Sequence, residues 1–164
     1  MRSLLALFVA LTGVAHAAEH PRLMGLKKMA VVVSADPLGN LDEKRLQTSV
    51  EARLRDAGIR IDPKSRSRLN VAIGVSDIRN EKGAGLGYAY SVHLSVSQQV
   101  YLAHNSNIMT DAVTWEGLWL GVTSRAELGK ACAQSIERRL NEFVAVYQAG
   151  TDDERPISPA VSLR

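Results

Sequence analysis

The chain has one cysteine, Cys132, so it cannot form an internal disulfide even where an oxidising compartment would permit one. It lacks a membrane-length apolar run: the longest, Leu4 to Val14, is about half the ~20 residues a helical span requires. It also lacks a dense block of one charge. The formal charge is +3, and the tightest basic group, "KSRSR" from Lys64 to Arg68, reads as a solvated loop. That balance gives no reason to expect a nucleic-acid partner. There is no G-x-S-x-G elbow, no P-loop lysine and hydroxyl, and no histidine with a second ligand at metal spacing on its own element. No cofactor is expected and no metal is assigned, although His93, His104 and Asp111 could meet if neighbouring strands brought them together. Internal repeats and long low-complexity tracts are absent too.

The beginning of the chain carries an address. "MRSLLALFVALTGVAHAAEH" offers Arg2, then the apolar stretch, then small residues at Ala15 and Ala17. This is the pattern of a secretory signal peptide over residues 1–17; the alternatives are an uncleaved anchor or a buried helix. Cleavage after Ala17 would leave Ala18 first. A lipid-anchored envelope protein would carry its cysteine there, so the expected product is exported, periplasmic or secreted, without that anchor. Residues 18–150 then form one domain, and residues 151–164, with two prolines and no periodicity, read as a flexible tail.

Within the domain, "MAVVVS" (Met29 to Ser34) reads as a buried strand. Leu46, Val50, Leu54 and Ala57 then make one helical stripe, with Asn40 as its cap, Glu43 as the reciprocal partner and Gly58 ending it. Leu69, Val71, Ile73 and Val75 alternate with small or polar residues, as on a strand with one buried face. "GAGLG" follows from Gly83. It lacks the helix that a phosphate-binding glycine loop needs, because a strand comes next, so it reads as a hairpin connection. In that strand Tyr88, Tyr90, Val92, Leu94 and Val96 share the core face. Ser91, His93, Ser95, Ser97 and Gln99 form an uncharged strip on the other. A third strand spans "IMTDAVTWEGLWLGV". A bulge near Gly117 would put Val113, Trp115, Leu118, Leu120 and Val122 on the core face and turn Trp119 outward. Ser124 and Glu127 make a capping box for a last helix whose stripe is Leu128, Cys132, Ile136, Leu140, Phe143 or Val144, and Tyr147, ending at Gly150. Cys132 on that stripe reads as core rather than as a nucleophile.

The expected fold is α+β: a two-layer, four-stranded mixed sheet, β-α-β-β-β-α, with both helices packed on one face. This order, with "LDEKRLQTSVEARLRDAGI … YAYSVHLSVSQQVYL … TWEG", resembles a group of small bacterial envelope domains. It is similar to the lipopolysaccharide-assembly lipoprotein that plugs an outer-membrane barrel, to the amino-terminal domain of the Tol-system translocation protein, and to uncharacterised exported proteins. The likeness spans about Lys27 to Gln148 and carries no functional residues; the lipid-bearing cysteine of the assembly lipoprotein is missing here. The expected function is that of a non-enzymatic periplasmic domain that engages an envelope protein or glycolipid through its open polar face. Trp119, Ser91, His93, Ser95, Ser97 and Gln99 are the candidate contacts. Two other readings stand beside it: a secreted hydrolase with an unrecognised site, and a homodimer that pairs exposed sheet edges and holds a small molecule between subunits.

Overall fold

The computed structural model describes residues 23, 25–102 and 104–152. The expected signal peptide and the tail beyond Asp152 lie outside the described residues. Five strands and two α-helices follow one another, β1 (Lys28–Ala35), α1 (Glu43–Asp56), β2 (Arg60–Ile61), β3 (Arg68–Arg79), β4 (Gly85–Leu102), β5 (Asn105–Thr123) and α2 (Leu128–Asp152), with a 3-10 turn (Pro37–Gly39) before α1. The sheet order is β2-β1-β3-β4-β5. β1 runs parallel to β2 and β3, while β3, β4 and β5 form an antiparallel meander. The sheet thus has five strands where the sequence pattern predicts four. The extra one, β2, pairs only Arg60 with Lys28 and Ile61 with Met29 before Pro63 interrupts the chain. Two residues are too few for alternation to register as a pattern.

Both helices pack on one side of this sheet, and one continuous core lies between the layers. Met29, Val31 and Val33 reach it from β1, and Leu69, Val71, Ile73 and Val75 from β3. β4 adds Tyr90, Val92, Leu94 and Val96, while Val50 and Leu54 come from α1. Burying Val92, Leu94 and Val96 stabilises the fold by on the order of 5 kcal/mol. A one-residue slip of β4 would replace that set with Ser91, His93, Ser95 and Ser97, so the register is strongly determined. From α2 come Leu128, Cys132, Ile136 and Leu140, and then both Phe143 and Val144. Phe143 is fully buried, its ring 5.1 Å from that of Trp115 and 6.4 Å from that of Tyr147.

The helix ends differ from the pattern-based expectation. Asp42, not Asn40, caps α1: its carboxylate accepts from the Arg45 amide at 3.0 Å. Asn40 instead closes a short 3-10 turn in the left-handed region, and Glu43 accepts from the Ala35 amide at 2.7 Å. Both acids therefore serve the start of α1, one by capping it and one by tying it to the end of β1. Gly58, at φ +84°, ends the helix as expected. α2 continues past Gly150 to Asp152, since one glycine weakens a helix without stopping it.

The glycines at the β3–β4 connection form a hairpin. The Asn80 side-chain oxygen accepts from the amides of Lys82 and Ala84, and Gly83 takes a positive φ of +78°. Gly87 passes so close to β5 that a Cβ there would sit 2.5 Å from the Thr123 carbonyl oxygen. Asp77 near this end accepts from Arg79 at 2.7 Å and from Arg125 at 2.9 Å, linking β3 to the turn before α2.

Two predictions follow from this packing. Gly121→Ala places a methyl 2.7 Å from the Tyr90 ring, whose hydroxyl meets Ser135 on α2 at 3.2 Å. The variant should lose about 1–3 kcal/mol in urea unfolding. Asp77 is held below its ordinary 3.8 by its bond to Arg79 and then by Arg125. A carboxyl lowered in the folded state stabilises above its unfolded pKa, and the effect is lost as pH falls through the folded value. Asp77→Asn should therefore unfold at a lower temperature than the parent at neutral pH, and the gap should close in acid once the parent's carboxyl is protonated.

Candidate functional site

The sheet face opposite the helices is open. On β4 it carries Ala89, Ser91, His93, Ser95, Ser97 and Gln99, the expected strip. In antiparallel register across β5 these meet Val122, Leu120, Leu118, Glu116, Val113 and Asp111 in turn. On the β3 side, Ser91, His93, Ser95 and Ser97 lie opposite Gly74, Ala72, Asn70 and Arg68. The strip is thus joined by charges from its neighbours. Glu116 approaches His93 at 3.6 Å, and Arg66 donates to the Gln99 side chain at 2.8 Å.

The bulge in β5 lies at Thr114, between the pairs Val96–Trp115 and Ser97–Val113, and not at Gly117. Thr114 donates its hydroxyl toward the Gln98 side-chain oxygen at 2.7 Å and the Val96 carbonyl at 3.3 Å. This corrects the expected facing of the whole strand. Trp115 and Trp119 turn under α2 and pack against the core, while Val113, Leu118, Leu120 and Val122 point into solvent. Trp119, expected to point outward, is half-buried, with the Arg138 guanidinium 4.6 Å from its ring centre and that of Arg139 at 5.5 Å. The alternation Trp115-x-Gly117-x-Trp119-x-Gly121 carries the signal. A Cβ on Gly117 would press on the Trp115 ring and the Arg139 side chain, and one on Gly121 on the Tyr90 ring. Bulky and small residues therefore alternate beneath the helix.

Leu118, Leu120 and Val122 are 55%, 69% and 73% exposed, all on the outermost strand. Beside Leu120 and Val122 the sheet bears a broad depression of about 610 Å³. Gly74, Ser76, Ala89, Ser91 and Asp36 line it too, with Val75, Tyr90 and Gly121 from the same strands. Asp36 is its one carboxylate and already accepts from the Leu38 amide. His93 and Asp111 do not converge. Asp111 pairs with Gln99, six residues from His93 on β4, which is ~20 Å along a strand. Among the described residues no group of three His, Cys, Asp or Glu side chains could hold a metal ion. Cys132 is fully buried in the core, and burial pushes its thiol up to about 11.

Fold and face together define a two-layer α+β domain with one uncovered sheet surface. No family model matches the chain, and no curated protein matches it. Some solved structures are similar to it at low identity. A PelC dodecamer from Paraburkholderia phytofirmans is 14% identical with a TM-score of 0.43, over 75% of this chain and 89% of that one. A DUF330 protein from Xanthomonas campestris is 13% identical with a TM-score of 0.38, covering 77% and 88%. The rare lipoprotein B from Shewanella oneidensis is 16% identical with a TM-score of 0.34, covering 76% and 96%. Among the described residues no helix is long and apolar enough to cross a membrane.

The buried thiol gives a direct check on the core assignment. Its raised pKa alone cuts the thiolate fraction at pH 8 on the order of 100-fold against an ordinary cysteine. A maleimide should label Cys132 at least that much more slowly in the native protein than in guanidinium.

Proposed function

We propose that this chain is a non-enzymatic binding domain of the cell envelope that docks an envelope protein on its open sheet face. One observation carries the reading: Leu118, Leu120 and Val122 stand exposed in a row on β5. They adjoin the β4 strip of Ser91, His93, Ser95, Ser97 and Gln99. A contiguous apolar row rimmed by polar residues is what a protein contact uses, because water is expelled at the centre and hydrogen bonds are kept at the rim. Trp119, held under the arginines of α2, is left out of this surface. The depression is lined by small and aliphatic residues, by Tyr90, whose hydroxyl meets Ser135, and by one committed carboxylate, which favours contact over catalysis. The exported, non-lipidated location belongs to the proposal and rests on the leader pattern from Arg2 to Ala17.

A second reading has its own observation. The outer edge of β5 is unpaired within the sheet, and from Trp115 to Thr123 it has no proline, no bulge and one charge, Glu116. Such an edge can pair with the same edge of a second copy.

Photo-crosslinking in the producing cell separates these readings. With the crosslinker at position 120 a discrete adduct is expected, and with it at the exposed Arg45 of α1 none. An adduct of twice the chain mass supports self-pairing; one of any other discrete protein mass supports docking. Equal labelling at both positions, or none, overturns both.

A further inference from the structure

At the start of β1 the chain encloses a second concavity, far from the apolar row. Gly25 to Lys28, Arg60 and Lys64 to Ser67 line a cleft of about 530 Å³. Its walls are fixed by backbone bonds. The Asp62 amide donates to the Met29 carbonyl at 2.9 Å, and the Ala30 amide to the Ser67 carbonyl at 2.9 Å. Ser65, 6% exposed, donates its hydroxyl to the Lys28 carbonyl at 3.2 Å. The basic stretch read as a solvated loop is therefore clamped to a strand, which places Lys64 and Arg66 beside Lys27, Lys28 and Arg60.

Those five cations face one neighbouring carboxylate, Asp62, which Lys28 occupies at 2.8 Å. Arg66 meets a neutral amide, Gln99. Lys27, Arg60 and Lys64 form no salt bridge among the described residues, although Asp62 also attracts Arg60. The whole chain carries only +3, so this one cleft concentrates more positive charge than the protein has in total. Folding does not call for that concentration: the cations are exposed and repel one another, and the loop is held by backbone and serine bonds. A mixed set of lysines and arginines suits an oxyanion with several oxygens, since guanidinium binds two at once and ammonium acts as a point charge.

We propose that this cleft binds a phosphate group, either free or on the headgroup of an anionic lipid. The inference is independent of the docking surface. Register separates the two: Gln99 marks the cleft end of β4 and Ser91 lies opposite Leu120, eight residues or ~26 Å along the strand.

The test compares Arg60→Gln/Lys64→Gln with Lys44→Gln/Arg45→Gln, which removes the same charge from α1. Backbone amide spectra are titrated with inorganic phosphate, and co-sedimentation is measured with phosphatidylglycerol vesicles against phosphatidylcholine alone. At low salt each cleft cation removed should weaken binding about fivefold, so the cleft variant loses about 25-fold and the helix variant less than twofold. Shifts confined to residues 25–28 and 60–67 with phosphate identify a free-phosphate site. Binding only to phosphatidylglycerol identifies the lipid headgroup. Equal losses in both variants, or no binding to either probe, overturn the proposal. If the cleft variant loses its native circular dichroism, Lys27→Gln/Lys64→Gln replaces it; neither side chain holds the fold.

Discussion

One extra residue, Thr114, determines which side of β5 meets the core. Its hydroxyl bridges to β4 at Gln98 and Val96, and the alternation changes phase there. Everything C-terminal to it follows. Trp115 reaches Phe143, Gly117 and Gly121 make room for Arg139 and Tyr90, and Trp119 comes to rest beneath α2. The same phase sends Leu118, Leu120 and Val122 into water. A bulge placed elsewhere would bury the leucines and expose the tryptophan, and the protein would present a different surface.

The layer on which this depends is held by apolar burial rather than by ion pairs. Pairs such as Lys28–Asp62, Glu51–Arg55 and Glu127–Lys130 join side chains at the surface, where each contributes little; the pair of arginines on Asp77 is the less exposed exception. The core, by contrast, is one cluster that draws on residues from Leu23 to Tyr147. The surface charges are free for other tasks. At one corner they gather into a cation-lined cleft; on the open face they thin to Glu116, Asp111 and Arg68 around a row of aliphatic side chains. The two surfaces are thus unlike in chemistry and lie apart on the same sheet.

Much of the fold was legible along the chain. β3 and the core face of β4 alternate without interruption, and both helices carry one apolar stripe, so their buried faces follow from period alone. The single cysteine fell on the buried stripe of α2, and it is buried. β2 was not legible, since a two-residue strand exists only because β1 lies beside it. The cap of α1 was misread by two positions because Asn40 and Asp42 are equally good capping types. For the candidate site, the β4 strip was legible and the β5 row was not: aliphatic residues in a strand are expected inside, and a bulge leaves no mark in composition.

Local chemistry determined both helices, β1, β3 and β4 and the faces they bury, because side-chain period and capping act between near neighbours; it did not determine β2 or the facing of β5. Tertiary structure alone decided what the surface offers. The phase of β5 depends on a bulge set by bonds to β4, and the basic cleft forms only where residues 64–67 fold back onto the start of β1. Both arise from pairings between segments distant in sequence, and no local pattern encodes such contacts.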